Sequence, residues 1–250
     1  MELLSERLRV IADMIDHCGV MADIGCDHGY LSIAMAGEKK VTKAIAMDLR
    51  SGPLEHARKN IRKYGLEDII DVRLSDGMQM LSPGEADMIV IAGMGGPLMT
   101  RILDRSPGIV GTASELILEP QSEPETLREY LSGRSFPDSK GREKIFFSIK
   151  DERFVKEEGK YYPVIKYLPS SKRQILSEEE KLFGPVLIRE KPPLFREYLE
   201  NCRKKYRSLA EKLEKTVSSG SRNAEKRLAQ IRDMEEMISA IIHLNKYEEG

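Results

Sequence analysis

Apolar residues change their spacing along the chain, and each change marks an element. From Leu4 to Ile15 they recur at Leu4, Leu8, Ile11 and Ile15 with charges between them, the spacing of an amphipathic helix. Val20 to Gly25 is a short buried strand running into glycines, and a helix over Tyr30–Ala36 follows. Lys43 to Asp48 is a second strand ending on a carboxylate, after which Ser51-Gly52-Pro53 supplies a cap and a first-turn proline for a helix through Tyr64. Ile69–Leu74, Ala86–Ala92 and Glu115–Leu118 continue the strands. Strands separated by helical segments require crossovers, and so a parallel sheet. Lys144–Ile149 and Tyr161–Ile165 have only a polar stretch between them, which predicts two antiparallel strands at the sheet edge. Beyond Ser171 the strands stop. Leu194, Tyr198, Leu209 and Leu213 form one helical stripe and Leu228, Ile231, Ile238 and Ile242 another, broken by Ser218–Ser221, which predicts a helical hairpin of coiled-coil type. The expected fold is therefore α/β, a mostly parallel sheet with an antiparallel edge over residues 1–167, and a helical coiled coil over 168–250.

Composition narrows the class. Hydrophobic residues are 40% and charged residues 32% of the 250, too apolar for disorder and too polar for a membrane protein. No stretch reaches the roughly 18 uncharged apolar residues of a membrane span, and the first residues alternate apolar with charged, so neither an anchor nor export is expected. With 40 Lys and Arg against 41 Asp and Glu, there is no global attraction for nucleic acid, and any such partner must meet a local patch. Cys18, Cys26 and Cys202 fit neither a disulfide framework nor a zinc site, and a reducing cytoplasm suits them best.

Chemistry concentrates at strand ends. Asp23-Ile24-Gly25-Cys26-Asp27-His28-Gly29-Tyr30 closes the first strand with glycines that let a ligand approach the backbone. The pattern lacks the third glycine of a dinucleotide fingerprint. Asp23 and Asp27 would repel a diphosphate and suit a cation, such as a sulfonium bearing an amino acid. Asp48, about 20 residues on, is placed to accept from both ribose hydroxyls. Asp76, after the third strand, could accept from an adenine amino group, with Met78 offering a polarizable contact to a flat ring. Acids at three successive strand ends, where doubly wound sheets bind ligands, describe S-adenosylmethionine (SAM) better than another nucleoside.

These motifs are where a resemblance appears. Ala22 to Leu31, Ser51-Gly52-Pro53-Leu54, Ser75-Asp76-Gly77 and above all Ile91-Ala92-Gly93-Met94-Gly95-Gly96 resemble the Rossmann-like class I SAM-dependent methyltransferases. More narrowly they resemble the bacterial TrmK-type enzymes that methylate N1 of adenine 22 in tRNA. Gly159-Lys160-Tyr161-Tyr162 and Phe183-Gly184-Pro185 look like further landmarks of that family. So does Leu118-Glu119-Pro120-Gln121, where the family often reads Leu-Gln-Pro-Asn. The resemblance implies a cofactor site of Asp23, Gly25, Asp27, His28, Gly29, Asp48, Leu49, Asp76, Gly77, Met78, Ala92, Gly93 and Met94. Asp27, Tyr30, Gly93 and Gly95 are the expected catalytic positions.

Enzymes that methylate exocyclic amino groups resemble one another in an Asn or Asp followed by two prolines and an aromatic. Ala92–Gly96 has neither feature and offers bare backbone, either for a base to approach or simply to turn from strand to helix. Adenine N1 has an in-plane lone pair, so alignment can supply most of the rate, and Asp27 would stabilise the cationic product. Tyr30 either stacks on a flipped adenine or packs inward; His28 either meets the ligand or bonds local backbone. His17, His56 and His243 have no partner acids at metal-ligand spacing, and no metal is implied. Arg203, Lys204, Lys205, Arg207, Arg222, Lys226 and Arg227 form either a phosphate-binding patch for tRNA or a solvated coiled-coil face, and the chain either stays monomeric or dimerises weakly through that coil. Methylation of another RNA or a small molecule, and a non-catalytic SAM-binding adaptor, stand as alternatives.

Overall fold

The computed structural model describes residues 4–138, 144–217 and 222–243, apart from the side chains of Val217 and Arg222. They form two compact units, Met1–Pro185 and Val186–Gly250. In the first, α1 (Glu6–Met14) starts at Ser5, whose hydroxyl accepts from the Leu8 N–H. β1 (Cys18–Ile24) leads to α2 (Tyr30–Gly37), which is apolar nearly all round because Leu31 to Ala36 are all buried. β2 (Val41–Asp48), α3 (Ser51–Lys63) and β3 (Ile70–Leu74) follow, then β4 (Met88–Gly95), α4 (Gly96–Asp104), α5 (Pro107–Val110), β5 (Glu115–Ser122) and α6 (Pro124–Gly133). β6 (Phe136–Pro137), β7 (Lys144–Glu157) and β8 (Lys160–Ser170) complete an eight-stranded sheet in the order β3-β2-β1-β4-β5-β8-β7-β6.

The first five strands are parallel. Met88, Ile89, Val90 and Ile91 are each 2% exposed or less. Burial on successive residues means both faces of β4 are covered, as in a parallel sheet flanked by helices. The chain leaves β1 toward β2 and β3, then crosses back to place β4 on the other side of β1. Loops that diverge in this way open a crevice at the carboxyl ends of β1 and β4.

The antiparallel edge is larger than its two apolar segments suggest. β8 pairs antiparallel with β5 and β7 with β8, and the ladder runs on to Glu157 opposite Lys160. The charged stretch between the segments is strand because Glu152, 3% exposed, points inward and meets the Arg128 Nε at 2.9 Å. Arg128 Nη1 also donates to the Lys181 and Leu182 carbonyls of α7 (Glu178–Phe183), a helix begun by a Ser177–Glu180 capping box. These bonds hold the segment after β8 to the sheet, so the first unit extends past the expected boundary at 167 to Pro185.

α8 (Pro185–Glu190) lies at the boundary between the units, and the second unit contains α9 (Pro193–Val217) and α10 (Arg222–His243). Ala210, Leu228 and Ile231 pack together with Tyr206, Leu209 and Leu213. The inward stripe is shifted by a residue at its far end: Phe195, Leu199 and Ile241 are buried, whereas Leu194, Tyr198 and Ile242 are half-buried. The expected break at Ser218–Ser221 lies outside the described residues.

Candidate active site

A cleft of about 510 Å³ opens at the carboxyl ends of β1, β2, β4 and β5. Asp23, Gly25, Asp27, His28, Tyr30, Asp48, Leu49, Asp76, Gly77, Ala92, Gly93 and Met94 all line it, so most of the residues picked out by strand-end position meet in one cavity.

The β1 end is built around buried acid. Asp23 is 5% exposed and accepts from the Ser32 hydroxyl at 2.8 Å. Burial pushes its carboxyl up to about 6, the Ser32 hydrogen bonds opposing and the charge of Asp48 adding to the rise. Gly25, at φ +78°, and Cys26 both donate their N–H to the Met47 carbonyl, locking the turn onto β2. The positive φ favours glycine at position 25, and a Cβ there would also have to displace the Met94 methyl at the β4 end. Asp48 accepts from the Arg50 N–H at 2.9 Å and the Asp27 N–H at 3.4 Å, joining the β2 turn to the β1 turn. Asp76 is half-exposed and paired with Arg105 at 3.0 Å. His28 packs edge-on against His56 and tilted against Tyr30, with ring centroids 5.2 and 5.8 Å away.

Three expected positions fall elsewhere. Met78 is 1% exposed and not part of the cleft wall; Leu98 and Ile102 supply the apolar lining there, because the Gly77 turn sends Met78 into the core. Gly29 sits against Ala57 of α3, where a Cβ would come within 3.2 Å, and serves packing. Gly95 is also outside the wall and has an ordinary φ of −70°. The segment expected as a loop after the fourth strand remains strand through Gly95, with irregular register opposite β5 on either side of Met94. That bulge puts Gly93 at φ +75° and turns its N–H toward β5.

The acceptor of that N–H is a residue whose role strand-end spacing did not reveal. Glu119 Oε2 lies 2.8 Å from the Gly93 nitrogen, and the side chain is 1% exposed in the cleft wall. Burial pushes its carboxyl up to about 7; Arg7 and the Gly93 N–H oppose the rise and Glu157 adds to it. Arg7 of α1 reaches Glu119 Oε1 at only 3.5 Å, because its Nε is bound to Glu157 at 2.7 Å and its guanidinium lies 4.7 Å from the centre of the Tyr162 ring. Arg7 had no local signal, being 112 residues from Glu119. Cys26, Arg50, Ser75 and Gln121 also line the cleft. Asp23, Asp27, Asp48, Asp76 and Glu119 outnumber Arg7 and Arg50, both already facing carboxylates, so the cleft suits a cationic ligand better than a diphosphate.

Among the described residues no group of three or more His, Cys, Asp or Glu is arranged to hold a metal ion, and no helix is long and apolar enough to cross a membrane. In the second unit, Arg203 pairs with Glu200 at 2.7 Å and Arg207 with Glu235 at 3.0 Å, while Lys204, Lys205, Lys226 and Arg227 are exposed. The Arg222 side chain lies outside the described residues.

A parallel sheet of this order, with an acid-lined cleft where the strand order reverses, defines a class I SAM-dependent methyltransferase. The family model for tRNA (adenine(22)-N(1))-methyltransferase matches residues 21–240, and the chain belongs to that family. It is 35% identical over 196 residues, 77% of this chain and 78% of the relative, to the tRNA (adenine(22)-N(1))-methyltransferase of Bacillus subtilis. The crystal structure of the B. subtilis m1A22 tRNA methyltransferase TrmK superposes with a TM-score of 0.80 at 32% identity, over 96% of this chain and all of that one. The structure of M. capricolum TrmK with S-adenosyl-homocysteine gives 0.73 at 27% identity, over 95% of this chain and all of that one.

Proposed function

We propose that this protein transfers the methyl group of SAM to N1 of adenine 22 in tRNA. The observation that carries the reading is the division of the cleft. Its β1 to β3 side carries Asp23, Asp27, Asp48 and Asp76, while the end of β4 is the Ala92–Met94 backbone without the Asn or Asp, two prolines and aromatic of an exocyclic methylase, β5 adding Glu119 and Gln121. Asp48 would accept from the ribose hydroxyls and Asp76 from the adenine amino group, with Gly25, Gly77 and Leu49 shaping the wall around them. Asp23 and Asp27 would face the cationic amino-acid end. When bound, SAM supplies an electrophilic methyl carbon. Tyr30 and the Ala92–Met94 backbone would hold the acceptor ring in line, and a lone pair in the ring plane needs no base to attack.

The division of labour is part of the proposal: the first unit binds SAM and carries the chemistry, and the helical hairpin meets tRNA phosphates through its exposed basics. Work on tRNA in the cytoplasm, by a monomer or weak coiled-coil dimer, fits this reading. Incubation with radiolabelled SAM and unmodified tRNA transcripts, followed by digestion to nucleosides, should yield 1-methyladenosine. Direct formation of N6-methyladenosine, or a methylated cytosine or guanine, would leave only the general SAM reading.

A further inference from the structure

Gln121 lines the cleft, and the cofactor roles above leave it unused. It lies on β5, and Asp48, the acid proposed for the ribose, ends β2, three strand spacings or about 14 Å away in the sheet order. A nucleoside over β2 and β3 whose methyl-bearing end points past β1 directs the reacting carbon toward β4 and β5. Gln121 therefore stands on the acceptor's side of the cleft.

The strand sets its direction. Residues two apart share a face, so Gln121 follows the buried Glu119 on one side of β5, a step farther toward solvent. Gly93 adjoins both: its N–H donates to Glu119 at 2.8 Å, and the Cβ it lacks would lie 3.4 Å from the Gln121 Nε2. The absent side chain leaves open space in front of the amide. Among the described residues nothing hydrogen-bonds to that amide, and the side chain is exposed. A carboxamide carries an acceptor oxygen and a donor NH2 side by side, so it suits a ligand edge that shows a donor next to an acceptor.

The acceptor base has one such edge to spare. As the adenine N1 lone pair forms the new N–C bond, the S–CH3 bonding pair returns to sulfur and no proton is released. N1 must therefore face the sulfonium, and the ribose side leads back into the tRNA chain. What remains is the edge made by the N6 amino group and N7, the donor and acceptor pair that an amide matches with two bonds. A single acceptor in the plane of N6 keeps the amino group flat, its lone pair conjugated into the ring, and the nucleophile at N1. Positive charge spreads onto N6 as the bond forms, so the N6–H bond to the amide oxygen is stronger in the transition state than before it, the condition for it to speed the chemistry.

We propose that Gln121 is a specificity-determining residue for the acceptor: its amide pairs with N6 and N7 of the target adenine and holds the base with N1 toward the methyl group. The inference rests on the methyltransferase reading above. Guanine shows two acceptors, O6 and N7, on the same edge, and whichever way the amide turns one of them faces its carbonyl oxygen.

The test is kcat/KM of the full chain for tRNA at saturating SAM, with adenosine, 7-deazaadenosine or purine riboside at the target position. Gln121→Met keeps the length of the side chain without its polar atoms and should be slower on adenosine by about tenfold, the worth of one or two neutral hydrogen bonds. Gln121→Asn, the residue that often stands here in the Leu-Gln-Pro-Asn of the family, keeps the amide and should recover part of that loss. Removing N7 or the amino group changes the reactivity of N1 itself equally for every protein, so the comparison between proteins isolates the contact. Each analogue should cost the wild type several-fold more than it costs Gln121→Met. Gln121→Glu keeps an acceptor for N6 but sets a carboxylate against N7, so 7-deazaadenosine should be favoured over adenosine more in this variant than in the wild type. Calorimetry should show the same SAM affinity in all of them. Equal sensitivity of the wild type and Gln121→Met to both analogues overturns the proposal, and so does a loss of SAM affinity in Gln121→Met, which would place the amide on the cofactor. If Gln121→Met does not fold, an unchanged preference between adenosine and 7-deazaadenosine in Gln121→Glu overturns it instead. Failure of the wild type to methylate tRNA while binding SAM normally would indict the substrate reading and not this residue.

Discussion

Asp23 stores a conflict between folding and ligand binding in one carboxyl group. Burial pushes this carboxyl up from the ordinary aspartate range to about 6. The folded state therefore holds the proton more tightly than the unfolded chain. Stability should fall as pH rises from about 4 to about 6, with the loss complete above that and no larger than about 3 kcal/mol. Asp23→Asn should flatten this segment of the melting curve against pH. A cationic ligand reverses the balance, so SAM should raise the melting temperature more at pH 7 than at pH 5 in the wild type and nearly equally at both in Asp23→Asn. Thermal shift measurements with and without SAM decide it. Asp48→Asn removes the charge and, with one acceptor oxygen in place of two, can keep only one of the tethers to the Arg50 and Asp27 N–H groups, so calorimetry should show SAM affinity down by about tenfold to a hundredfold. Asp23, Asp27, Asp48 and Asp76 were legible as cleft residues because strand ends follow from hydrophobic spacing and these acids fall at or just past the ends of β1, β2 and β3. The part played by Glu119 was hidden because a charged residue in a buried strand reads as ordinary polarity, and that of Arg7, on α1, because its partner lies 112 residues away.

At the scale of elements the same masking shortened β7 and β8 to their apolar segments. Glu152 breaks the apolar alternation at a core position, and its pairing with Arg128 lets a carboxylate sit there in the strand opposite Ile165. Both side chains are 1% exposed or less, so removing one partner strands a buried charge. Arg128→Met alone should cost about 3–5 kcal/mol in denaturant unfolding. Adding Glu152→Leu should recover much of that loss. The recovery should be incomplete, because Lys181 and Leu182 then lose the donor for their carbonyls, and hydrogen exchange should report α7 opening early in the double variant. The β4 bulge supports a second expectation. Valine at Gly93 would have to adopt φ +75° and bring its Cβ to 3.4 Å from the Gln121 Nε2, so Gly93→Val should abolish turnover while SAM affinity changes less. Gly95→Val meets no such backbone penalty but crowds the Ser122 hydroxyl at 2.9 Å and should be the milder of the two. The glycines announced a turn in the sequence; that the strand continues through them depends on pairing with β5, which local pattern does not encode.

For the whole molecule, the division into a sheet and a helical hairpin was plain from the loss of strands after Ser171, but its boundary was not. The contacts that carry the first unit to Pro185 are made by Arg128 and the capped α7, both outside the reach of local pattern. The position of the boundary has a consequence for truncation. A chain ending at Lys166 lacks α7 and leaves the buried Arg128 without its carbonyl acceptors, whereas one ending at Pro185 keeps every contact described for the first unit. The longer fragment should fold and bind SAM within about twofold of the full chain; the shorter one should be unfolded or aggregated. If the hairpin supplies the phosphate contacts, the longer fragment should also lose most tRNA affinity. Within the full chain, the exposed basics should matter more than the paired ones. Arg203 and Arg207 already spend their charge on Glu200 and Glu235, while Lys204, Lys205, Lys226 and Arg227 are exposed. Replacing those four with Gln should reduce the slope of log affinity against log salt by up to about 3, since each phosphate contact contributes about 0.7–0.9. Replacing Arg203 and Arg207 should change the slope less than their number suggests and should cost some hairpin stability. An unchanged slope after all four exposed substitutions, with 1-methyladenosine still formed at the full rate by the fragment ending at Pro185, would make the hairpin an assembly device and move the tRNA contacts to the sheet unit.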